Sequence, residues 1–202
     1  MMILKSPAIT RVLLVRPGAT EFDDQGRIKG CMDMPLSETG RRQAASLVDQ
    51  VAHFRCRTIY TAPCESARET AGLLACDQSS GQRVAKVKVI EAFRNLDHGL
   101  WHGKLIDELK RNHPKLYRCG QESPLDICPP GGESISEAKS RVEKAVLKLL
   151  KKNSDDLVTI VIPDPMAWIV QTLLSGEALS DLWQAETDSA KWDLIEPVLS
   201  GR

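Results

Sequence analysis

Apolar residues along this chain fall into short unbroken runs separated by longer stretches with helical spacing. Val12 to Val15 is an uninterrupted apolar run, as expected of a parallel strand covered on both faces. From Ser37 the pattern changes. Leu47, Val48, Val51 and Phe54 recur at intervals of three and four, which predicts an amphipathic helix with Ser37 as its N-cap. Residues 58–62 (TIYTA) form a second predicted strand, and a helix follows directly with Pro63 at its first position. Residues 83–93 alternate and predict a third strand near a sheet edge. Ser134 or a neighbour opens a long helix with Val142, Ala145, Val146 and Leu149 on one face. Residues 157–162 (LVTIVI), continuous and β-branched, are the most strand-like of the chain. The next segment, PMAWIVQTLLSG, predicts a helix closed by Gly176, and residues 190–199 predict a final strand.

Residues 98–132 break this rhythm. They are rich in Gly, Pro and His, with one short helix expected around Leu105–Arg111, and they read as a cap-like excursion inserted into a single domain spanning 1–202. There is no internal repeat, low-complexity tract or linker. Strands alternating with helices through short junctions predict an α/β fold: a three-layer α/β/α sandwich with a mostly parallel, doubly wound sheet. Ligands of such sheets bind outside the carboxyl ends of the strands. Three junctions therefore matter most: Arg16-Pro17-Gly18, Thr61-Ala62-Pro63 and Ile162-Pro163-Asp164.

Composition narrows the classes. The chain has 202 residues, 42% of them hydrophobic, enough for one core without covalent staples. Lys+Arg and Asp+Glu are 27 each, a balance that offers no electrostatic footprint for nucleic acid or an anionic membrane. The six cysteines include no C-x-x-C pair and no zinc-finger spacing, so reduced, mostly packed thiols are expected and no metal. His98 and His102 stand four apart, but Gly99 and Gly103 argue for a loop, so a packed or solvated pair is expected. The first fifteen residues lack a sustained apolar stretch and a cleavage site, and no apolar run approaches the roughly 20 residues of a membrane span. A cytoplasmic protein is expected.

At the three junctions and between them, the chain resembles the histidine phosphatase superfamily, which includes the cofactor-dependent phosphoglycerate mutases. That family opens with Arg-His-Gly-x-Thr after its first strand, and this chain has Arg16-Pro17-Gly18-Ala19-Thr20. The segment 26–44 matches Gly-x-x-Asp-x-Pro-Leu-Ser-x-x-Gly through Gly30, Asp33, Pro35, Leu36, Ser37 and Gly40. YTAPCESARETA (60–71), NLDHGLWHG (95–103) and PPGGES (129–134) resemble further family segments, so the ordered set covers nearly the whole chain.

The resemblance implies a phosphoglycerate mutase-like fold and a definite chemistry. An imidazole takes a phosphoryl group, while two arginines and a second histidine surround its equatorial oxygens as charge spreads in the transition state. A carboxylic acid protonates the leaving oxygen. The nucleophile's position holds Pro17, which has neither a side-chain lone pair nor an N–H. The second arginine falls at Ser66, the acid at Asn95 and the second histidine at Pro163. Arg16 is the central group retained, with Gly18 and Thr20 as a possible anion-binding remnant.

Neighbours offer little replacement. Arg68 is about 200° round the helix from Ser66. Glu91 reads as a surface group, Cys31 and Cys64 as structural thiols, His53 and His113 as surface residues, and Trp168 and Trp183 as core or interface. Asp23 falls where many relatives carry a phosphate-contacting Asn.

The expectation is therefore a catalytically inactive pseudo-enzyme acting by binding or regulation, with no cofactor and with an unidentified protein or a phosphorylated small molecule as partner. The alternatives are an enzyme with a rebuilt cleft, using Arg16, Asp23, His98 and Asp164, or a structural homo-oligomer subunit, for instance a homodimer.

Overall fold

The computed structural model describes residues 11–76, 82, 84–153, 157–178, 181–185 and 189–198. The first ten residues, which carry most of the segment read above for a leader, lie outside that range. Five strands form one sheet: β1 (Arg11–Val15), β2 (Thr58–Thr61), β3 (Lys86–Val89), β4 (Leu157–Val161) and β5 (Trp192–Ile195), in the order β3-β2-β4-β1-β5. β1 and β4 pair in parallel, with Val12 beside Val158 and Leu14 beside Ile160. β2 is parallel to both β3 and β4, and only β5 runs antiparallel, against β1. The fold is the expected α/β sandwich with a mostly parallel sheet.

The burial follows from the pattern. Val12 to Val15 and Val158 to Ile162 are buried because helices cover both faces of the central strands. The helices are α1 (Glu21–Asp24), α2 (Glu38–Val51), α3 (Glu65–Leu74), α4 (Ile106–Asn112), α5 (Pro114–Glu122), α6 (Ile135–Lys152), α7 (Met166–Ser175) and α8 (Leu182–Ala185). α3 packs on β2, β3 and β4, and α7 packs on β1 and β5. Among the described residues no helix is long and apolar enough to cross a membrane.

The starts of α2 and α6 were legible, while Pro63 falls just before α3, whose N-cap is Cys64. Ser37 caps α2, its Oγ accepting from the Gly40 N–H at 3.0 Å. Replacing this buried hydroxyl strands one helical donor, so Ser37→Ala is expected to cost about 1 kcal/mol in urea unfolding. Ser134 caps α6 in a reciprocal capping box with Glu137. The Ser134 backbone N–H and hydroxyl both donate to the Glu137 carboxylate and hold it below the usual carboxylate range. Gly176 closes α7 in the left-handed conformation.

Two expectations need correction. The third strand is shorter than 83–93: β3 ends at Val89, and Glu91–Phe93 coil into a 3-10 turn that buries Phe93. It is the edge strand, as expected, with a single neighbour and largely exposed side chains. Arg83 lies outside the described residues. The 98–132 segment carries not one helix but two. α5 escapes a pattern reading because Pro114, at its first turn, resembles a breaker and few apolar positions follow. Its anchor comes from far along the chain: Trp183 stacks on Tyr117 with ring centroids 5.4 Å apart and donates its Nε1–H to the Tyr117 carbonyl at 2.8 Å.

Candidate active site

The connection from β1 leads to β2 on one side, and the connection from β4 leads to β5 on the other. The carboxyl ends of β1 and β4 thus flank the point where the loops part, which is where α/β sheets hold their ligands. The first residue past β1 is Arg16. Its backbone N–H donates to the Lys191 carbonyl at 2.7 Å, and the Ala190 N–H donates to the Pro17 carbonyl at 2.8 Å. Among the described residues, Pro17 is thus hydrogen-bonded through its carbonyl. It is buried, as is Pro163 beyond β4.

The Arg16 guanidinium is 5% exposed and spends its donors on three partners. Nε donates to Asp164 Oδ2 at 2.6 Å, Nη1 to Asp193 Oδ2 at 2.6 Å and Nη2 to Gln171 Oε1 at 2.7 Å. Burial works against the charge, and the two carboxylates more than offset it, leaving the guanidinium pKa raised. The other oxygen of Asp164, Oδ1, accepts from the Trp168 N–H at 2.9 Å in the first turn of α7. One buried cation thus faces two carboxylates.

Asp193 and Gln171 were missed in the sequence. Gln171 carried a usable signal, being the lone strongly polar side chain in the apolar run MAWIVQTLL. Asp193 carried none, since its approach depends on β5 running antiparallel beside β1.

The remaining residues named from the sequence separate into groups. Ser66 is 1% exposed in the first turn of α3, with its Oγ 3.8 Å from Cys64 Sγ and its N–H donating to the Met34 carbonyl. Burial raises the Cys64 thiol pKa, as befits a packed thiol. Asn95 is 2% exposed, and its Nδ2 bridges the Gly30 carbonyl at 3.0 Å and the Asp164 carbonyl at 3.1 Å. Its Oδ1 is buried without a hydrogen-bond partner among the described residues. His98 is buried, its ring centroid 6.3 Å from that of Trp101.

The loop donors are engaged within the chain. Gly18 N–H donates to Thr70 Oγ1, and the Thr20 N–H and hydroxyl both donate to Asp23 Oδ2 at 2.6 and 2.7 Å. Asp23 also pairs with Lys29 at 2.8 Å, so its carboxylate serves the start of α1 rather than Arg16. Of the set Arg16, Asp23, His98 and Asp164, Arg16 and Asp164 are hydrogen-bonded to each other. Arg68 turns to Asp33 at 3.7 Å, as its helical position required. Glu91, His53 and His113 are exposed, and Trp183 is core.

The family model of the histidine phosphatase superfamily (branch 1) matches residues 12–200. The chain belongs to this superfamily. It is 27% identical over 187 residues to Phosphoserine phosphatase 1 of Hydrogenobacter thermophilus, covering 93% of this chain and 86% of that one. Among solved structures, Bacillus stearothermophilus YhfR superposes with a TM-score of 0.78 at 25% identity, covering 93% of this chain and 91% of the other. The native mycobacterial glucosyl-3-phosphoglycerate phosphatase superposes at 0.75 and 21% identity, covering 92% and 89%, a likeness of fold. The first of these findings overturns the expectation of a catalytically inactive pseudo-enzyme: the relative that matches 93% of this chain is named as a phosphatase. The physical reason for the error is one of scope. Proline at position 17 excludes a phosphohistidine at that position, which is one route to phosphoester cleavage and not all of them.

Proposed function

We propose that the chain is a phosphomonoesterase acting on small phosphate esters at the carboxyl ends of β1 and β4. The observation that carries this reading is the Arg16–Asp164 pair. A guanidinium and a carboxylate stand side by side at the edge where the family's chemistry takes place. Arg16 is assigned to the phosphoryl oxygens. Asp193 is the more exposed of its two carboxylate partners, at 37%, so an arriving phosphate displaces Asp193 from Nη1 while Asp164 stays on Nε.

Pro17 supplies no nucleophile, so water attacks phosphorus directly. A new bond forms from the water oxygen, the bond to the ester oxygen breaks, the water proton passes to Asp164, and the leaving alkoxide takes a proton from solvent. Asp164 accepts from Arg16 at Oδ2 and from the Trp168 N–H at Oδ1, and each carboxylate oxygen can accept more than one bond. The reading places the protein in the cytoplasm as a single domain, with residues 98–132 forming a cap. The six unbridged cysteines suit a reducing compartment.

The test is inorganic phosphate release from phosphoserine and p-nitrophenyl phosphate. Turnover is expected to fall by about 10²–10³ in Arg16→Gln, the usual loss for a preorganised charge-stabilising group. In Asp193→Asn the KM is expected to drop, because the competing carboxylate is gone. Release no faster than with heat-denatured protein would overturn the reading, as would release indifferent to both Arg16→Gln and Asp164→Asn.

A further inference from the structure

At the outer edge of this site, three side chains from two loops converge in a way that phosphoester cleavage does not use. Cys31 follows the turn at Gly30, and Asp97 and His102 flank the 3-10 turn Gly99–Trp101. Cys31 Sγ lies 3.5 Å from His102 Nε2, and Asp97 Oδ1 lies 3.7 Å from the same nitrogen. One ligand atom from each residue lies within 4.8 Å of the others.

These separations have a direct chemical reading. A tetrahedral zinc ion has bonds of about 2.3 Å to sulfur and about 2.0–2.2 Å to nitrogen and carboxylate oxygen, which puts its ligand atoms about 3.3–3.5 Å apart. The sulfur–nitrogen pair already has that spacing, the carboxylate lies a few tenths of an ångström too far from the nitrogen, and its separation from the sulfur is within 4.8 Å. We propose that Cys31, Asp97 and His102 form a binding site for a borderline-soft divalent transition-metal ion of the zinc class, with the fourth position open to solvent.

Three features of the surroundings prepare the site. The ring nitrogen is placed as an acceptor: the backbone N–H groups of Cys31 and His98 point at Nε2 from 3.4 and 3.3 Å, a geometry that suits the tautomer with its proton on Nδ1. Both bonds are long, and a metal–nitrogen bond replaces them at little loss. Asp97 Oδ1 is oriented by the Gly99 N–H at 2.9 Å. Gly30 makes room for the ring. Its φ is +55°, and a Cβ there would overlap Nε2 and Cδ2 of His102. Cys31 is exposed and His102 and Asp97 are partly exposed, so an ion has a path of entry.

Titration of the full chain with Co(II), under a phosphine reductant, tests the site without reference to phosphatase activity. The expected result is one equivalent bound, with a thiolate-to-cobalt charge-transfer band and tetrahedral d–d bands that Zn(II) abolishes. Cys31→Ser is expected to remove the charge-transfer band, and His102→Gln and Asp97→Asn to weaken binding by about tenfold or more. Circular dichroism checks that each substitution leaves the fold intact. Persistence of the band in Cys31→Ser would overturn the proposal by assigning it to another of the six thiols. Absence of the band in the unaltered protein would overturn it equally, and either result would leave the Arg16–Asp164 reading untouched.

Discussion

Gly40→Ala is expected to destabilise the protein by about 3 kcal/mol or more, the upper end of overpacking costs. Gly40 sits in the first turn of α2, and its Cα faces the loop that leaves β1. A Cβ at Gly40 would overlap the Ala19 carbonyl oxygen and lie 2.8 Å from both the Ala19 carbonyl carbon and nitrogen. The contact is reciprocal, because a Cβ at Gly18 would overlap the Gly40 carbonyl oxygen. Backbone meets backbone, so no side chain can rotate away to relieve the clash. The same approach lets the Ser37 N–H donate to the Ala19 carbonyl at 2.9 Å and the Ala19 N–H donate to Gln43 at 2.9 Å.

Separating the two segments to admit one methyl would therefore loosen the loop that positions Arg16. A loss of about 3 kcal/mol corresponds to a fall in Tm of roughly 6–12 °C for a chain of this length. Gly72→Ala is the control. Gly72 lies within α3, where an added Cβ meets nothing within 4 Å, and the substitution is expected to raise stability by about 0.5–1 kcal/mol. Equal melting shifts in the two variants would contradict the packing account.

What could be read from the sequence follows from the range of the forces involved. The strands at 12–15 and 157–162 were plain because burial on both faces demands continuous apolar runs. The caps at Ser37 and Ser134 were plain because capping is a bond between residues three apart. The ordered motifs identified the family.

The partners of Arg16 were a different matter. Asp164 lies 148 residues away, Gln171 155 and Asp193 177, and nothing local marks which carboxylate will turn inward. The cluster of Cys31, Asp97 and His102 was hidden in the same way, since Cys31 and His102 are 71 residues apart. The inactive reading erred where four replaced positions were allowed to stand for the whole of a function. Residue identity at Pro17, Ser66, Asn95 and Pro163 constrains one mechanism, and the neighbours that define another are set by tertiary contacts.

Arg16→Met is expected to destabilise the protein by about 3–5 kcal/mol, the usual effect of removing one partner from a buried ion pair. The reason lies in the two carboxylates that remain. The Asp193 side chain is 37% exposed and returns to water at small cost, so Asp193→Asn alone is expected to change stability by under about 1 kcal/mol. The Asp164 side chain is 2% exposed and stays between Trp168 and the ends of β1 and β4. Without Arg16 its charge keeps the Trp168 N–H and loses the guanidinium that donates to Oδ2 at 2.6 Å.

Neutralising that charge should therefore repair much of the damage. In Arg16→Met/Asp164→Asn the amide oxygen can still accept from Trp168, no buried charge is left, and at least half of the lost stability is expected to return. A double-mutant cycle by urea unfolding measures the coupling directly. A coupling near zero would mean that Asp164 is stabilised by groups other than Arg16, and the pair assigned to the chemistry would then have no physical basis as a unit. Strong coupling with Asp164 and weak coupling with Asp193 would identify Asp193 as the contact that a phosphate ester replaces.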